Sequence, residues 1–357
     1  MGNCNAKPDA ADPVLAQSRA AYIFEFAIGK GGFGKVWKVL LKRTKQTFAM
    51  KEMNKGRVIT KRSVNSVMNE RKLLSKLRSA FIVNMHYAFQ DRENLYLVMD
   101  LMPGGDLRYH MSRKRHFSEE QTRFFVACIV CALESLHTDN ILHRDIKPEN
   151  LVFDARGFLH VTDFGIAREW RADNAQDTSG TPGYMAPEVM CRQNHSIAAD
   201  YFALGVITFE IMTGKRPYLG RSRKEIRDAI LAKQVQIKPG DIPQGWSPEA
   251  ADFANRLLQR KPLNRLGSNG PTEVMSHPWL VHFPWTQLKA KLCDSPFVPN
   301  VGDNFDAKVA AQEWKDDAEV IAAALKQPAA QSLFEGYYYD LHLPQCEGTA
   351  VTGEPVK

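Results

Sequence analysis

The chain has 357 residues, 44% of them hydrophobic, and its 47 basic and 40 acidic side chains give a formal charge of +7. That length and apolar content are enough for a substantial core in two lobes, or in one domain with long extensions. The longest apolar runs, residues 124–133 and 202–212, fall short of the roughly 20 residues that span a bilayer, so no transmembrane helix is expected.

No basic segment followed by an apolar one opens the sequence, so a cytoplasmic chain is expected and its six cysteines read as reduced thiols. The positive charge permits attraction to acidic partners or anionic membrane. No nucleic-acid motif or aromatic-basic platform accompanies it, so nucleic acid is not expected as a partner. The basic runs 57–62 and 113–115 read as solvated faces.

In chain order, residues 1–21 are rich in Ala, Asp, Asn and Pro without apolar periodicity and read as a mobile tail. Within it Gly2 and Cys4 are candidates for myristoylation and palmitoylation, although Ala6 departs from the usual acceptor pattern. One myristoyl chain holds only weakly, so attachment to a membrane surface needs the second acyl group or basic help. Order is expected from near Tyr22. Residues 24–53 then alternate strand, glycine turn, strand, polar turn and strand, a β-meander.

The glycine turn, Gly29-Lys30-Gly31-Gly32-Phe33-Gly34, is a weak signal alone because dinucleotide-binding folds share G-x-G-x-x-G. Here Val36-Trp37-Lys38-Val39-Leu40 continues it as a hairpin rather than a helix, which favours a glycine lid whose backbone closes over phosphates, with Val36 over an adenine. Lys51 ends the third strand, and Glu70 follows 19 positions later on a helix marked by Val64, Val67, Met68 and Leu74. Together they form a candidate ion pair that would hold the lysine on the α- and β-phosphates. Leu95-Tyr96-Leu97-Val98-Met99 reads as a buried strand.

After Pro103-Gly104-Gly105 the character becomes helical. Ser118 and Gln121 form a candidate capping box for an apolar helix over 119–137. Its Cys128 and Cys131 read as a buried structural pair, since no second ligand pair at zinc spacing exists. His143-Arg144-Asp145-Ile146-Lys147-Pro148-Glu149-Asn150, with Asp163-Phe164-Gly165 shortly after, carries the densest chemistry. Asp145 is placed to orient a hydroxyl nucleophile, Lys147 to neutralise a moving phosphoryl group, and Asn150 and Asp163 to hold Mg²⁺ on nucleotide phosphates.

Thr181 in Gly180-Thr181-Pro182 is expected to orient Asp145 and Lys147, and Glu188 in Ala186-Pro187-Glu188 to pair with Arg265. Asp200, on an apolar helix, would be costly to bury alone and is expected to accept backbone N–H groups of the catalytic loop. The helical lobe should end near Phe283. Residues 284–345 read as an extension that wraps, with one helical pattern near 317–325.

With these motifs in order, the chain resembles the eukaryotic protein kinases over most of residues 22–283. Asn69-Glu70-Arg71, Asp100-Leu101 with Gly104-Gly105-Asp106-Leu107, and the extension motifs Pro296-Phe297-Val298-Pro299, Asn304-Phe305-Asp306 and Phe334-Glu335-Gly336-Tyr337-Tyr338-Tyr339 resemble those of the AGC group. Gly105-Asp106-Leu107-Arg108-Tyr109-His110, Tyr184-Met185-Ala186-Pro187-Glu188 and Arg216-Pro217-Tyr218 resemble the YANK subfamily, from which the Phe334 motif departs. Tyr338 stands where the broader group carries Ser or Thr.

The resemblance implies an α+β bilobal fold, with a β-rich lobe over 22–102, a helical lobe over 103–283 and an extension over 284–357. It implies a monomeric serine/threonine kinase using ATP and Mg²⁺. The nucleotide site it implies is Ile28, Gly29, Lys30, Gly31, Gly32, Phe33, Gly34, Val36, Ala49, Lys51, Met99, Asp100, Met102, Asp106, Glu149 and Val152. Phe305 would approach that site, and Phe334 and Tyr337 would dock behind the Glu70 helix.

Asp106, Glu149 and Asp228 match acids that read arginines before the target hydroxyl, which implies basic substrates. Asp177 stands where many relatives carry an activating phosphothreonine, facing Arg144 and Arg168, with Thr178 as the alternative switch residue. A pseudokinase scaffold and a small-molecule kinase are the competing readings.

Overall fold

The computed structural model describes residues 17–114, 116–300, 302, 304–305 and 318–342. Strands β1 (Tyr22–Lys30), β2 (Gly34–Leu41) and β3 (Thr47–Asn54) form the expected antiparallel meander. Helix α1 (Lys55–Thr60) follows at once, capped by Asn54, whose side chain accepts from Arg57 N. Next come α2 (Val64–Lys76), β4 (Met85–Gln90) and β5 (Asn94–Met99).

The second lobe begins with α3 (Leu107–Arg113) and α4 (Glu119–Thr138), followed by β6 (Ile141–Leu142), β7 (Leu151–Phe153), β8 (Leu159–Val161) and β9 (Arg168–Glu169). Helices α5 (Pro187–Met190), α6 (Ala198–Thr213), α7 (Arg223–Ala232), α8 (Pro248–Leu257), α9 (Pro271–Met275) and α10 (Trp285–Lys289) complete it. The extension adds α11 (Ala318–Leu325) and β10 (Tyr339–Asp340). The main sheet runs β1-β2-β3-β5-β4-β10, so its last strand comes from the chain's far end.

Local sequence explains the main helices. The Ser118 hydroxyl accepts from Gln121 N and the Gln121 side chain accepts from Ser118 N, both at 3.2 Å, a complete capping box at the start of α4. Cys128 and Cys131 are free and buried inside α4, and burial pushes the Cys131 thiol up to about 12. Helix α6 is buried on nearly every side, so its acids need partners.

The extension clamps both lobes. Phe297 packs among the rings of His110, Phe117, Phe125 and Phe153, with centroids 5.1 to 5.7 Å apart. It crosses Gly157, whose φ is +85° and where a Cβ would lie 2.0 Å from the Phe297 carbonyl oxygen. Farther on, α11 lies against α1, and Phe334 and Tyr337 are fully buried beside α2. Gln90 Nε2 donates to Phe334 O at 2.9 Å, and Arg71 donates to Gly336 O.

Two expectations change. Residues 17–21 belong to the folded part: Arg19–Ala21 forms a 3-10 turn and Gln17 Nε2 donates to Asp340 Oδ2 at 3.1 Å. The run 57–62 is not a solvated face throughout, because Val58 is fully buried in α1. The short elements α1, β4 and β10 carry too little periodicity to be read from the sequence alone.

Candidate active site

The β2–β3 pairing sets the upper wall. Gly31 N donates to Gly34 O at 2.8 Å, closing the glycine turn. At Gly34 a Cβ would meet Glu52 O at 1.6 Å, so only glycine lets the two strands approach there. Val36 lies opposite Gly29 and Lys51, and Ala49 opposite Met99, which brings these sequence-predicted residues to one stretch of sheet. Val152 bridges to Asp106 from the lower lobe, and Met102 packs partly buried against the core.

At Asp100 the carboxylate accepts from Asn84 N at 2.9 Å and bonds His86 Nε2 at 2.7 Å, and its backbone N–H donates to Asn84 O at 3.0 Å, so its side chain is engaged within the first lobe. Phe305 lies 6.3 Å from the Phe26 ring, against the β1 strand of the lid.

Lys51 Nζ donates to both Glu70 oxygens at 2.7 and 3.0 Å, with Asp163 Oδ1 at 3.6 Å. Burial would lower the lysine's pKa, but the Glu70 and Asp163 carboxylates outweigh it and keep the ammonium charged. The same ammonium holds the Asp163 carboxyl below the usual carboxylate range. Asp163 adopts φ +65° and Arg144 φ +69°, left-handed backbone at two non-glycine positions of the site.

Asp145 is held from four directions. Its Oδ1 accepts from Thr181 N at 3.0 Å and Thr181 Oγ1 at 2.7 Å, while its Oδ2 accepts from Lys147 Nζ at 2.6 Å and Asn150 Nδ2 at 3.1 Å. Lys147 Nζ also donates to Thr181 Oγ1 at 3.0 Å. Beneath the loop, the buried Asp200 accepts from His143 N at 3.0 Å and Arg144 N at 2.8 Å, and bonds His137. Burial alone would raise the Asp200 pKa, but these bonds lower it overall. Arg265, fully buried, forks onto Glu188 at 2.7 and 2.9 Å.

Asp163 and Asn150 offer a carboxylate and an amide carbonyl, since the Asn150 amide nitrogen is already spent on Asp145. Hard oxygen donors of this kind suit Mg²⁺, which takes one or two protein ligands and fills the rest of its shell with phosphate and water.

The remaining predicted residues separate. Arg144 Nη1 faces Asp177 Oδ2 at 3.4 Å, but Arg168 turns to Ala167 O and Ser66 Oγ, and Arg171 takes its place at 3.9 Å from Asp177. Thr178 O accepts from Arg223. Asp106 caps α3, accepting from Tyr109 N at 2.7 Å, and Asp228 is exposed beside its neighbour Arg227 at 3.1 Å. Glu149 accepts from Arg108 Nε at 2.9 Å.

Sequence reasoning missed Glu210, which takes two further bonds from Arg108. An acid near the end of the apolar run 202–212 was the available signal. Gly2, Cys4 and Asp306 lie outside the described residues.

Residues 22–280 match the model of the protein kinase domain. The chain belongs to the protein kinase family. It is 35% identical over 325 residues to a probable serine/threonine-protein kinase of Dictyostelium discoideum, an alignment covering 89% of this chain and 70% of that one. It is 36% identical over 292 residues to the serine/threonine-protein kinase sgk-1 of Caenorhabditis elegans, covering 80% and 62%.

With the serine/threonine-protein kinase YPK2/YKR2 of Saccharomyces cerevisiae it shares 34% over 316 residues, covering 87% and 46%. The kinase described here thus spans about half to two thirds of the length of the latter two. These relatives place it among the serine/threonine kinases of the AGC group, for which ATP and Mg²⁺ are the general cofactors. Neither they nor the filled Lys51, Glu70, Asp145, Asn150 and Asp163 positions support a pseudokinase.

Proposed function

We propose that this serine/threonine kinase moves the γ-phosphoryl group of ATP to a Ser or Thr hydroxyl with Asp145 as the group that receives the hydroxyl proton. The observation that carries the assignment is the Asp145-Lys147-Thr181-Asn150 cluster, in which every donor fixes the Asp145 carboxylate while Lys147 adds positive charge beside it. Lys51, held by Glu70, binds the nucleotide phosphates under the glycine turn. Bound Mg²⁺ would be held by Asp163 and Asn150 and would supply charge neutralisation on those phosphates. Thr181 and Asp200 keep the loop in place through its side-chain and backbone bonds.

The acceptor is a protein segment carrying basic residues, read chiefly by Glu149 with Glu210 behind it; Asp106, engaged in capping α3, and Asp228, beside Arg227, contribute less. Asp177, ion-paired to Arg144, stands in for an activating phosphate, which supports activity without phosphorylation of that segment. The sequence resemblance supports a place near the YANK kinases. Acylation of Gly2 and Cys4 would carry this otherwise cytoplasmic enzyme to a membrane surface, which intact-mass analysis of protein from a eukaryotic host checks.

A radiolabelled ATP assay on a peptide library tests the main reading. Wild type should label Ser and Thr peptides, and Asp145→Asn should lose turnover while retaining nucleotide binding. Undiminished transfer by Asp145→Asn would overturn the role given to Asp145.

A further inference from the structure

We infer that Arg108 is a resident guanidinium filling the acidic subsite beside the transfer residues, and that it thereby limits how strongly this kinase selects a basic side chain in its acceptor. The inference deepens the proposed reading of Glu149 and rests on it.

Arg108 is the second residue of α3. Its Nε donates to Glu149 Oε1 at 2.9 Å, its Nη1 to Glu210 Oε1 at 3.0 Å, and its Nη2 to Glu210 Oε2 at 3.2 Å and to the Tyr184 hydroxyl. The Tyr184 hydroxyl in turn donates to Glu210 Oε2 at 2.6 Å. This is the fork geometry by which an arginine is recognised bidentately, but the guanidinium belongs to the chain itself.

The place matters. Glu149 sits on the 3-10 turn Pro148–Asn150, between Lys147 and Asn150, and Tyr184 follows Thr181 by three residues. The occupied subsite therefore borders the Asp145 cluster on both chain segments that build it. It is open to a peptide, since the side chains of Arg108 and Glu149 are 32% and 46% exposed, while Glu210 is 10% exposed and forms the floor.

Charge points the same way. Two carboxylates facing one guanidinium leave a residual charge of one negative unit rather than two. The carboxylates hold Arg108 firmly protonated, overcoming the burial that would lower its pKa. Asp106 offers little further attraction, because it is spent on capping α3, and burial together with nearby Glu149 raises its pKa. A basic acceptor side chain must then displace Arg108 from Glu149 or share that carboxylate from its outer side. A purely structural clamp between α3 and α6 would make no such demand on the substrate.

The test compares wild type with Arg108→Ala, Arg108→Met and Arg108→Lys, on peptides that carry Arg in turn at each position upstream of a single Ser, against the all-Ala peptide. The readout is the ratio of kcat/KM for Arg over Ala peptides within each protein, which cancels differences in folded fraction. In the Ala and Met variants the ratio at one position should rise about tenfold or more, the size of one charge-assisted contact. The gain should come through KM rather than kcat.

Arg108→Lys should fall between them and wild type, and ethylguanidinium added to Arg108→Ala should return the ratio toward that of wild type. Ratios within about twofold of wild type in both neutral variants would overturn the inference, and would do so even where wild type itself prefers basic peptides. A wild type indifferent to Arg beside variants that select it would instead uphold the inference and remove the basic-acceptor reading of the native enzyme. The Met and Lys variants keep the aliphatic stem of Arg108, so the test stands if the Ala variant does not fold.

Discussion

Asp177→Asn removes one negative charge from the segment before Thr181 and keeps the shape of the side chain. Its partner, Arg144, is almost fully enclosed, with 4% of the side chain exposed. The Arg144 Nε and Nη2 atoms donate to Ile166 O, while Nη1 makes no hydrogen bond and faces Asp177 Oδ2 at 3.4 Å. Burial lowers the Arg144 pKa and the Asp177 charge opposes that loss. A charge-assisted contact contributes roughly 1.5 to 3 kcal/mol. Because 32% of the Asp177 side chain meets solvent, screening reduces this to about 1 to 2 kcal/mol.

Such an energy corresponds to a factor of roughly 5 to 30 in the ratio of ordered to disordered segment. Steady-state kinetics on protein made in bacteria should therefore show wild type active without upstream kinases, and Asp177→Asn with kcat lower by up to that factor. Thr178→Ala should change kcat by less than about twofold, since the Thr178 bonds are made by its backbone, the carbonyl accepting from Arg223 and the N–H donating to Gln176 O. Equal turnover of wild type and Asp177→Asn would refute the reasoning.

Glu70→Gln leaves the Lys51 ammonium buried with only Asp163 as a charged partner, and kcat should fall by upwards of about tenfold, equivalent to about 1.4 kcal/mol; an unchanged kcat would remove the pair from the site. Gly157→Ala forces a Cβ toward the Phe297 carbonyl at a left-handed φ, at a cost of roughly 1 to 2 kcal/mol from backbone alone. The extension should then be cut faster by limited proteolysis, and an unaltered digestion rate would count against its clamping role. Burial lowers the pKa of His110, His143, His195 and His277, so the unfolded chain binds more protons than the folded one below about pH 6.5. That contribution is present above this pH and lost as pH falls through the folded values: Tm should drop between pH 7.5 and 5, and a Tm that rises on acidification would contradict it.

The chemistry was legible because it is local. Asp145, Lys147 and Asn150 lie within one loop, so their order and spacing announce the transfer site before any folding. The meander and the apolar helix α4 were equally legible, through two-residue alternation, the Ser118 and Gln121 cap and a long apolar run. Asp200 was foreseeable for a different reason: a charge buried on an apolar helix requires hydrogen-bond donors, and the Glu188–Arg265 pair followed from the motifs that carry the two residues.

What only tertiary structure decided are pairings between residues far apart in sequence, where side-chain direction rather than order selects the partner. Arg168 and Arg171 are both basic and both precede Asp177, yet the backbone through and after β9 sends Arg168 toward Ser66 and Arg171 toward the acid. The extension reads as a scatter of aromatics until it crosses Gly157 and adds β10 to the edge of the first-lobe sheet. Glu149, Glu210 and Arg108 come from three separate segments. The sequence alone determined that an acid stands two residues after Lys147; only the fold decided that the chain's own arginine lies on it, because the approach of α3 to α6 brings that guanidinium between the two carboxylates.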